Sequence, residues 1–276
     1  MVSIPSVFIF SVLAGAIAFA AFFVMRRALK KFDLDEHENF LDAMLTIVGT
    51  LVSILLGLLV ASALDRYSNL EQTVDNEAAN IAHVFRLSAG LPLDVRKDVR
   101  RLCVDYCQEV IDEEWPQMDK GTYSRNVFNT YAELLQKTIT FSPSTEGQSN
   151  VHAAMLTTIE ECSQARRHRL LALLNPWKQH LMPVLGMCTL ILLAFALIYS
   201  RQGATIHAIM IALVSIALGA NLGLIVLLSN PFSGDWKIRP TGFEINLRML
   251  KHAKEQLEAE ERKQQLQPQQ QTQKSH

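Results

Sequence analysis

The sequence has no excess of basic charge and few of the patterns that mark an enzyme. Its net charge is -1 at pH 7 over 276 residues, so it lacks the basic patch that a nucleic-acid partner requires. It contains no Gly-rich phosphate loop, no Gly-x-Ser-x-Gly elbow and no kinase or nucleotide-binding fingerprint. We therefore expect no catalytic residues, no cofactor and no nucleic-acid partner.

Cysteine is scarce as well, with four residues that show no disulfide framework. Cys103 and Cys107 have a spacing that could offer two metal ligands, but no second Cys or His pair completes such a site. The acidic pairs Glu113-Glu114 and Glu160-Glu161 also lack metal-ligand spacing, and we expect them on solvated helix faces or in capped turns. Free cysteine usually packs as a small hydrophobic residue. The sequence therefore predicts buried thiols and no metal site.

Long apolar stretches dominate what the sequence does contain. Four of them are present, at Ile4–Met25, Ala43–Leu64, Leu181–Ser200 and Gly203–Ser229. The first three hold no charged residue, and the only titratable side chain in the fourth is His207. About twenty apolar residues are enough for a helix to cross a bilayer, and a soluble core helix is rarely apolar on every face for that length. The pattern predicts an all-α membrane protein with four transmembrane helices in two hairpins.

The apolar stretches also divide the chain into regions. We predict a first transmembrane hairpin at residues 1–64, a helical extramembrane domain at 65–180, a second transmembrane hairpin at 181–229, an amphipathic segment at 230–263 and a disordered Gln-rich tail at 264–276. Helical spacing of three and four residues supports the middle region and the segment after it. The repeated positions are Val95, Val99, Leu102, Tyr106 and Val110 in the former, and Phe243, Leu247, Leu250, Ala253 and Leu257 in the latter.

The distribution of basic residues bears on the orientation in the membrane, because such residues near span ends tend to stay in the cytoplasm. With both termini cytoplasmic, seven basic residues near the spans lie on that side and five on the other. The preference is small, and the basic cluster Arg26–Lys31 opposes it. We predict a membrane protein with cytoplasmic termini and a cytoplasmic helical domain.

Several short motifs resemble those of the bestrophin-like membrane protein family, which is widespread in bacteria. The extramembrane region carries Leu91-Pro92, Asp105-Tyr106 and Glu114-Trp115-Pro116, and Asn230-Pro231-Phe232-Ser233-Gly234 follows the fourth apolar stretch. The resemblance extends from the first stretch to about Leu250. It implies four spans, helical cytoplasmic parts and a homo-oligomer, for which a pentamer is one arrangement, since bestrophins form an anion pore around a fivefold axis and line it with the second span.

The same resemblance speaks against calcium binding. Bestrophins carry an acidic, calcium-binding cluster after the Asn-Pro-Phe motif, whereas Asp235 is the one carboxylate in the corresponding segment here. A calcium site needs several oxygen ligands and normally more than one carboxylate. We expect no calcium site at this position.

The second apolar stretch carries the candidate pore-lining residues. Small and hydroxyl-bearing side chains recur three or four residues apart on one helical face, at Thr46, Gly49, Thr50, Ser53 and Gly57. Hydroxyls can solvate an ion and small side chains leave room for it. Small residues also allow helices to approach closely, so both pore lining and helix packing remain open.

Two further groups have candidate roles. Gly219, Asn221 and Gly223 form a Gly-x-x-x-Gly motif around a polar residue, which is typical of helix packing in lipid. Arg166, Arg167 and Arg169 precede the third stretch. We expect them at a pore mouth or at anionic lipid headgroups, or as simple juxtamembrane anchors, and Glu77 is a candidate partner for this cluster.

Together these features favour a homo-oligomeric channel in the lipid bilayer that conducts small inorganic anions. The alternative is a non-conducting membrane sensor or scaffold with a helical soluble domain.

Overall fold

The computed structural model describes residues 3–29, 38–174, 176–198 and 204–255. These ranges contain no strand, which confirms the all-α class. The elements are α1 (Ile4–Leu29), α2 (Glu38–Leu87), a 3-10 turn (Ser88–Gly90), α3 (Leu93–Glu109), a π-turn (Val110–Glu114), α4 (Trp115–Met118), α5 (Arg125–Thr140), α6 (Glu146–Leu171), α7 (Pro176–Ile198), α8 (Ala204–Leu228) and α9 (residues 241–255). The predicted tail at 264–276 lies outside the described residues.

Within the described ranges, three helices are long and apolar enough to cross a membrane. They are Ile4–Ala28, a window within Asp42–Gly90, and Thr205–Leu228. Helix α7 adds a shorter apolar stretch, Met182–Ile198. The chain is therefore an integral membrane protein, while the fourth span stays a prediction.

The described parts of Met1–Asn69 and Leu174–Ile238 form one compact unit. Within it, α1 packs closely on α8 through small residues. A β-carbon on Gly15 would lie 2.5 Å from Cγ1 of Ile216, and one on Gly219 would lie 3.1 Å from Cα of Ser11. One on Gly223 would collide with Val7. Glycine is needed at these positions because the two helices approach too closely for a larger side chain.

A second apolar contact in this unit joins α2, α7 and α8. Its buried side chains are Val52, Leu56, Leu185, Leu192 and Ile225. Leu45, Val48, Leu59 and Val60 of α2 are partly buried against this cluster, so one face of α2 is covered over about four turns. The remaining faces of α2 in this unit are not covered by the other described helices.

The other compact unit combines Leu70–Leu173 with the described residues 239–255. Helix α3, the π-turn and α4 follow one another without a break, and Pro116 explains the π-turn. Proline has no N–H to donate, and its ring would clash with the carbonyl four residues earlier, at Asp112. Widening the helix by one residue at Val110–Glu114 relieves both problems.

The core of this unit follows much of the predicted helical spacing. Val99, Leu102, Tyr106 and Val110 are buried along one side of α3 and the π-turn, which confirms that face. Phe243, Leu247 and Leu250 of α9 are buried as well. Leu257, predicted on the same face, lies outside the described residues.

Candidate functional site

The hydroxyl and glycine stripe of α2 is left uncovered by the chain's own described helices. Thr46, Thr50, Ser53 and Gly57 are exposed, and Gly49 is half-buried near Leu192. The Thr46 hydroxyl donates to the carbonyl of Asp42 at 2.9 Å, and that of Thr50 donates to the carbonyl of Thr46 at 2.8 Å. Because these hydrogens are satisfied within the helix, the two threonines tolerate an apolar or a wet environment.

A third face of α2 is apolar and also uncovered. It contains Ile47, Leu51, Ile54 and Leu58, each more than half exposed. On the helix it lies on the side of the stripe away from the packed residues Val52 and Leu56. The stripe therefore separates a face that packs within the chain from a face suited to lipid or to another protein surface.

The residues of the Gly-x-x-x-Gly motif of α8 lie on two sides of the helix. Gly219 lies against Ser11 of α1, and Gly223 lies against Val7. Asn221 is exposed on the opposite side of the helix, where its Nδ2 donates to the carbonyl of Ala217 at 2.9 Å. The glycines thus contact α1 and Asn221 does not share that contact.

The other unit contains a buried charge cluster that consists of Glu77, Tyr106, Glu114, Arg166 and Arg169. Arg169 donates from Nε to Oε2 of Glu77 at 2.6 Å and from Nη2 to Oε1 of Glu77 at 2.8 Å and to Oε2 of Glu114 at 2.7 Å. Arg166 donates to both oxygens of Glu114, at 2.8 and 3.0 Å. Two carboxylates face two guanidinium groups, so the cluster carries no net charge.

A tyrosine hydroxyl links the two halves of the cluster. Tyr106 donates to Oε1 of Glu77 and accepts from Nη1 of Arg166 at 3.0 Å. Burial raises the pKa of the Tyr106 phenol well above its usual value, and the nearby Glu77 carboxylate adds to the rise. The phenol therefore stays protonated and can act as the donor to Glu77.

Aromatic rings and a thioether surround the two guanidinium groups. The Cζ atom of Arg169 lies 5.3 Å from the ring centre of Trp115, and that of Arg166 lies 5.7 Å from Tyr106 and 5.8 Å from Tyr131. Nη1 of Arg169 donates to Sδ of Met118 at 2.9 Å. Burial alone would lower the pKa of Arg169, but Glu77 and Glu114 outweigh it and raise that pKa. Both arginines are therefore charged and held by their carboxylates.

Three of the four cysteines lie in the same unit and are buried, as expected. They are Cys103, Cys107 and Cys162. Burial raises the pKa of Cys107 to about 12, with Glu77 contributing, and it raises that of Cys103 and Cys162 as well. Over the described residues, no group of three or more His, Cys, Asp or Glu side chains is arranged to hold a metal ion.

The structure corrects three predictions about charged residues. The sequence predicts Arg166 and Arg169 at a pore mouth or at lipid headgroups, but their exposures are 4% and 0% and they bind carboxylates inside the helical unit. It also predicts Glu114 on a solvated face, whereas this side chain is fully buried. The predicted pairing of Glu77 with the arginine cluster is confirmed. Arg167 is exposed, and its role stays a prediction.

A pattern on α6 could have indicated the buried arginines. Cys162, Ala165, Arg166 and Arg169 are all buried and follow a spacing of three, one and three residues, which places them on one face of the helix. Charged residues on an otherwise buried face must be paired. Arg166 and Arg169 fit that face, whereas Arg167 falls outside it.

The segment after α8 forms a tight turn. Phe232 is buried, Gly234 has a φ of 87° that favours glycine, and the N–H of Ile238 donates to the carbonyl of Pro231 at 2.8 Å. Oδ2 of Asp235 accepts from the backbone N–H of Ile4 at 3.0 Å. Asp235 thus caps the first turn of α1, where a negative charge is stabilised by the helix dipole.

Comparison with known proteins assigns the chain to a family. A family model for the Bestrophin-like domain matches residues 12–243. The chain belongs to the bestrophin-like family. The resemblance predicted from Glu114-Trp115-Pro116 and the Asn230–Gly234 motif is thereby confirmed. No protein of curated function matches this member of the family in sequence.

Solved structures share the fold of this bestrophin-like protein. A bacterial bestrophin homologue from Klebsiella pneumoniae, solved with one aspartate replaced by alanine, has a TM-score of 0.62 and 12% identity over 88% of this chain and 95% of its own. A membrane protein solved with one proline replaced by alanine has a TM-score of 0.65 and 11% identity over 88% and 98%. At these identities the likeness concerns the fold.

Proposed function

We propose that this bestrophin-like protein is a subunit of a homo-oligomeric channel that passes small inorganic anions. The observation that carries the proposal is the hydroxyl and glycine stripe of α2, exposed on a helix that is otherwise apolar between Ala43 and Ala61. Family membership supports it, since the family resembles the bestrophin anion channels. The described residues of one chain leave the stripe uncovered, so copies arranged around an axis can bring several stripes together, and a pentamer is one such arrangement.

The composition of the stripe favours a narrow path and an anion. Gly49 and Gly57 leave space, and the hydroxyls of Thr46, Thr50 and Ser53 can rotate to donate to a passing ion. The segment Ala43–Leu64 contains no carboxylate that would concentrate cations. The four charges of the buried charge cluster are paired, so the cluster offers no excess positive charge to an anion. We therefore propose that this cluster stabilises the fold and does not bind the permeant ion. Arg167 stays the candidate for a pore mouth or for lipid headgroups.

Planar-bilayer recording of the purified protein tests the proposal. A chloride gradient should set the reversal potential, and Ser53→Leu should lower the conductance because it narrows the path and removes a hydroxyl. Cysteine in place of Thr50 should react with small water-soluble thiol reagents and block current. Cysteine in place of Leu58, which is also exposed in the single chain, should react much less.

Two outcomes would contradict parts of this proposal. Equal inertness of both cysteines in a conducting preparation would make the stripe a helix-packing surface. Absence of current from assembled protein under varied voltage and pH would favour a membrane sensor or scaffold. The proposed location, a bacterial inner membrane with cytoplasmic termini, is tested by a reporter inserted near Glu146.

A further inference from the structure

Helices α1 and α8 run in opposite directions, which brings the start of α1 beside the end of α8. A β-carbon on Gly15 would lie against Ile216, and one on Gly223 would lie against Val7. Later residues of α8 therefore contact earlier residues of α1. Both helices are long and apolar enough to cross a membrane, so the start of α1 and the end of α8 lie on the same side of the bilayer.

The turn at residues 230–238 is tied to this end of the two helices. Oδ2 of Asp235 accepts from the N–H of Ile4 at 3.0 Å, and the N–H of Ile238 donates to the carbonyl of Pro231 at 2.8 Å. Helix α8 has 25 residues and is about 37 Å long, whereas a bilayer has a hydrocarbon core of about 30 Å and a total thickness of about 40–45 Å. The turn therefore lies at the depth of the lipid headgroups.

The side chains of this turn point in two directions. Phe232 and Ile238 are buried, whereas Trp236 is 43% exposed and Lys237 is exposed. Tryptophan is enriched where a membrane meets water, because its ring contacts the acyl chains and its N–H reaches the headgroups. The exposed indole of Trp236 at this depth therefore fits a lipid molecule.

Lys237 places a positive charge beside this indole. Its ammonium group has three hydrogens that the phosphate oxygens of a headgroup can accept, and basic residues at the membrane surface attract anionic lipids. The neighbouring carboxylate of Asp235 accepts from the first turn of α1, and the partial positive charge of a helix N-terminus offsets its negative charge. The turn therefore favours a negatively charged headgroup over a neutral one.

We infer that Trp236 and Lys237 form a binding site for an anionic phospholipid. The indole lies beside the upper part of the acyl chains, and the ammonium group binds the headgroup phosphate. The site uses no residue of the hydroxyl and glycine stripe or of the buried charge cluster. It goes beyond the proposed channel and requires only that the chain lies in a bilayer, whether or not it conducts ions.

Quenching of tryptophan fluorescence by brominated lipids tests the inference on the full chain in lipid nanodiscs. Bromine on the acyl chains quenches nearby indoles, and the contribution of Trp236 is the part of the emission that Trp236→Phe removes. Brominated phosphatidylglycerol should quench this part with a preference of about fivefold over brominated phosphatidylcholine at equal mole fraction, the size expected for one basic residue near the surface. Lys237→Gln should abolish the preference, and Lys237→Arg should retain it.

A double variant in the helical extramembrane unit is the matched control. Tyr123→Ala with Arg125→Gln removes one exposed aromatic ring and one exposed positive charge, and it should leave the preference unchanged. Equal quenching by the two brominated lipids in the unmodified protein would overturn the inference. So would a preference that survives Lys237→Gln, or one that the control variant also loses.

Thermal unfolding in detergent separates a lipid headgroup from a free phosphate ion. Added phosphatidylglycerol should raise the melting midpoint more than added phosphatidylcholine, and Trp236→Ala with Lys237→Gln should remove this difference. Both side chains are exposed, so the double variant should still fold. Inorganic phosphate at the same ionic strength should have no such effect. A rise with inorganic phosphate as large as that with phosphatidylglycerol would indicate a site for free anions and overturn the lipid assignment.

Discussion

Glu77 and Arg169 form a two-point ion pair in which neither side chain is exposed to solvent. The Nε and Nη2 atoms of Arg169 lie 2.6 and 2.8 Å from the two oxygens of Glu77. The residues belong to α2 and α6 and are 92 positions apart in the sequence. Because both side chains are buried, each one is the charged partner that compensates the other for the loss of contact with water.

Removal of one partner should therefore be strongly destabilising. Arg169→Met leaves Glu77 and Glu114 with one arginine between them, and loss of one partner of a buried pair costs about 3–5 kcal/mol. The melting temperature in mild detergent should fall, whereas Glu160→Gln, on the exposed side of α6, should leave it nearly unchanged. The double variant Glu77→Leu with Arg169→Met should be more stable than Arg169→Met alone. A double variant no better than the single one would show that the pairing is not the source of the stability.

The α1–α8 contact gives a prediction with a built-in control. Gly223→Ala places a methyl group against Val7, and overpacking of this kind costs about 1–3 kcal/mol. Gly57→Ala meets nothing within 4 Å, and alanine is about 1 kcal/mol better than glycine in a helix. Thermal unfolding in detergent should therefore give a lower midpoint for the first variant and an unchanged or higher one for the second. The reverse order would contradict the close approach of α1 and α8.

The buried cysteines should be inert in the folded protein. Cys103, Cys107 and Cys162 should resist alkylation at pH 7.4 and react after unfolding, as counted by mass spectrometry. An exposed cysteine introduced by Arg167→Cys serves as the reactive control. Alkylation of these three cysteines in native protein at pH 7.4 would refute their burial.

The stability of the fold should depend on pH through Cys107. Burial raises the pKa of its thiol from 9.0 to about 12, so above pH 9 the unfolded chain loses this proton and the folded chain keeps it. The free energy of unfolding should thus decline as pH rises above about 9.

Asp235 should act as a helix cap and not as a calcium ligand. Calcium should change neither the stability nor any current of the protein, since one carboxylate makes a poor site and this one already accepts from the N–H of Ile4. Asp235→Ala should cost about 0.5–2 kcal/mol through loss of the cap, while Asp235→Asn should cost less. Stoichiometric calcium binding by calorimetry that disappears in Asp235→Ala would refute this assignment.

The sequence predicts the helical membrane class well because long apolar runs have few alternatives. Residues 43–64 and 204–228 can hardly be anything but buried or lipid-facing helix. The sequence does not predict that Gly219 and Gly223 pack against α1 and not against another helix. It depends on the complementary shapes of Val7, Ser11 and Ile216, which no local pattern in the sequence reveals.

The buried charge cluster shows where residue type misleads. Arginine and glutamate are mostly exposed in proteins, so residue type alone predicts surface positions for Arg166 and Glu114. Both side chains are buried because charged and polar partners from four segments surround them. Each partner lowers the free-energy cost of burying the others. Sequence reasoning identifies one of these partners, Glu77, because it lacks a charge partner within its own helix. Cooperative burial of this kind becomes visible only when all members are placed together.

The π-turn before Pro116 has a consequence for any comparison of this helix between relatives. It inserts one residue into the continuous helical segment from Leu93 to Met118. This insertion rotates the side chains that follow it by about 100° around the helix axis. Without that change, Trp115 would point about half a turn away from Tyr106, whereas both are buried on one side. Homologues without a proline at this position can therefore present the same inner face with one residue fewer. Alignments should allow a single-residue gap here, or Glu114 will be matched to the wrong position.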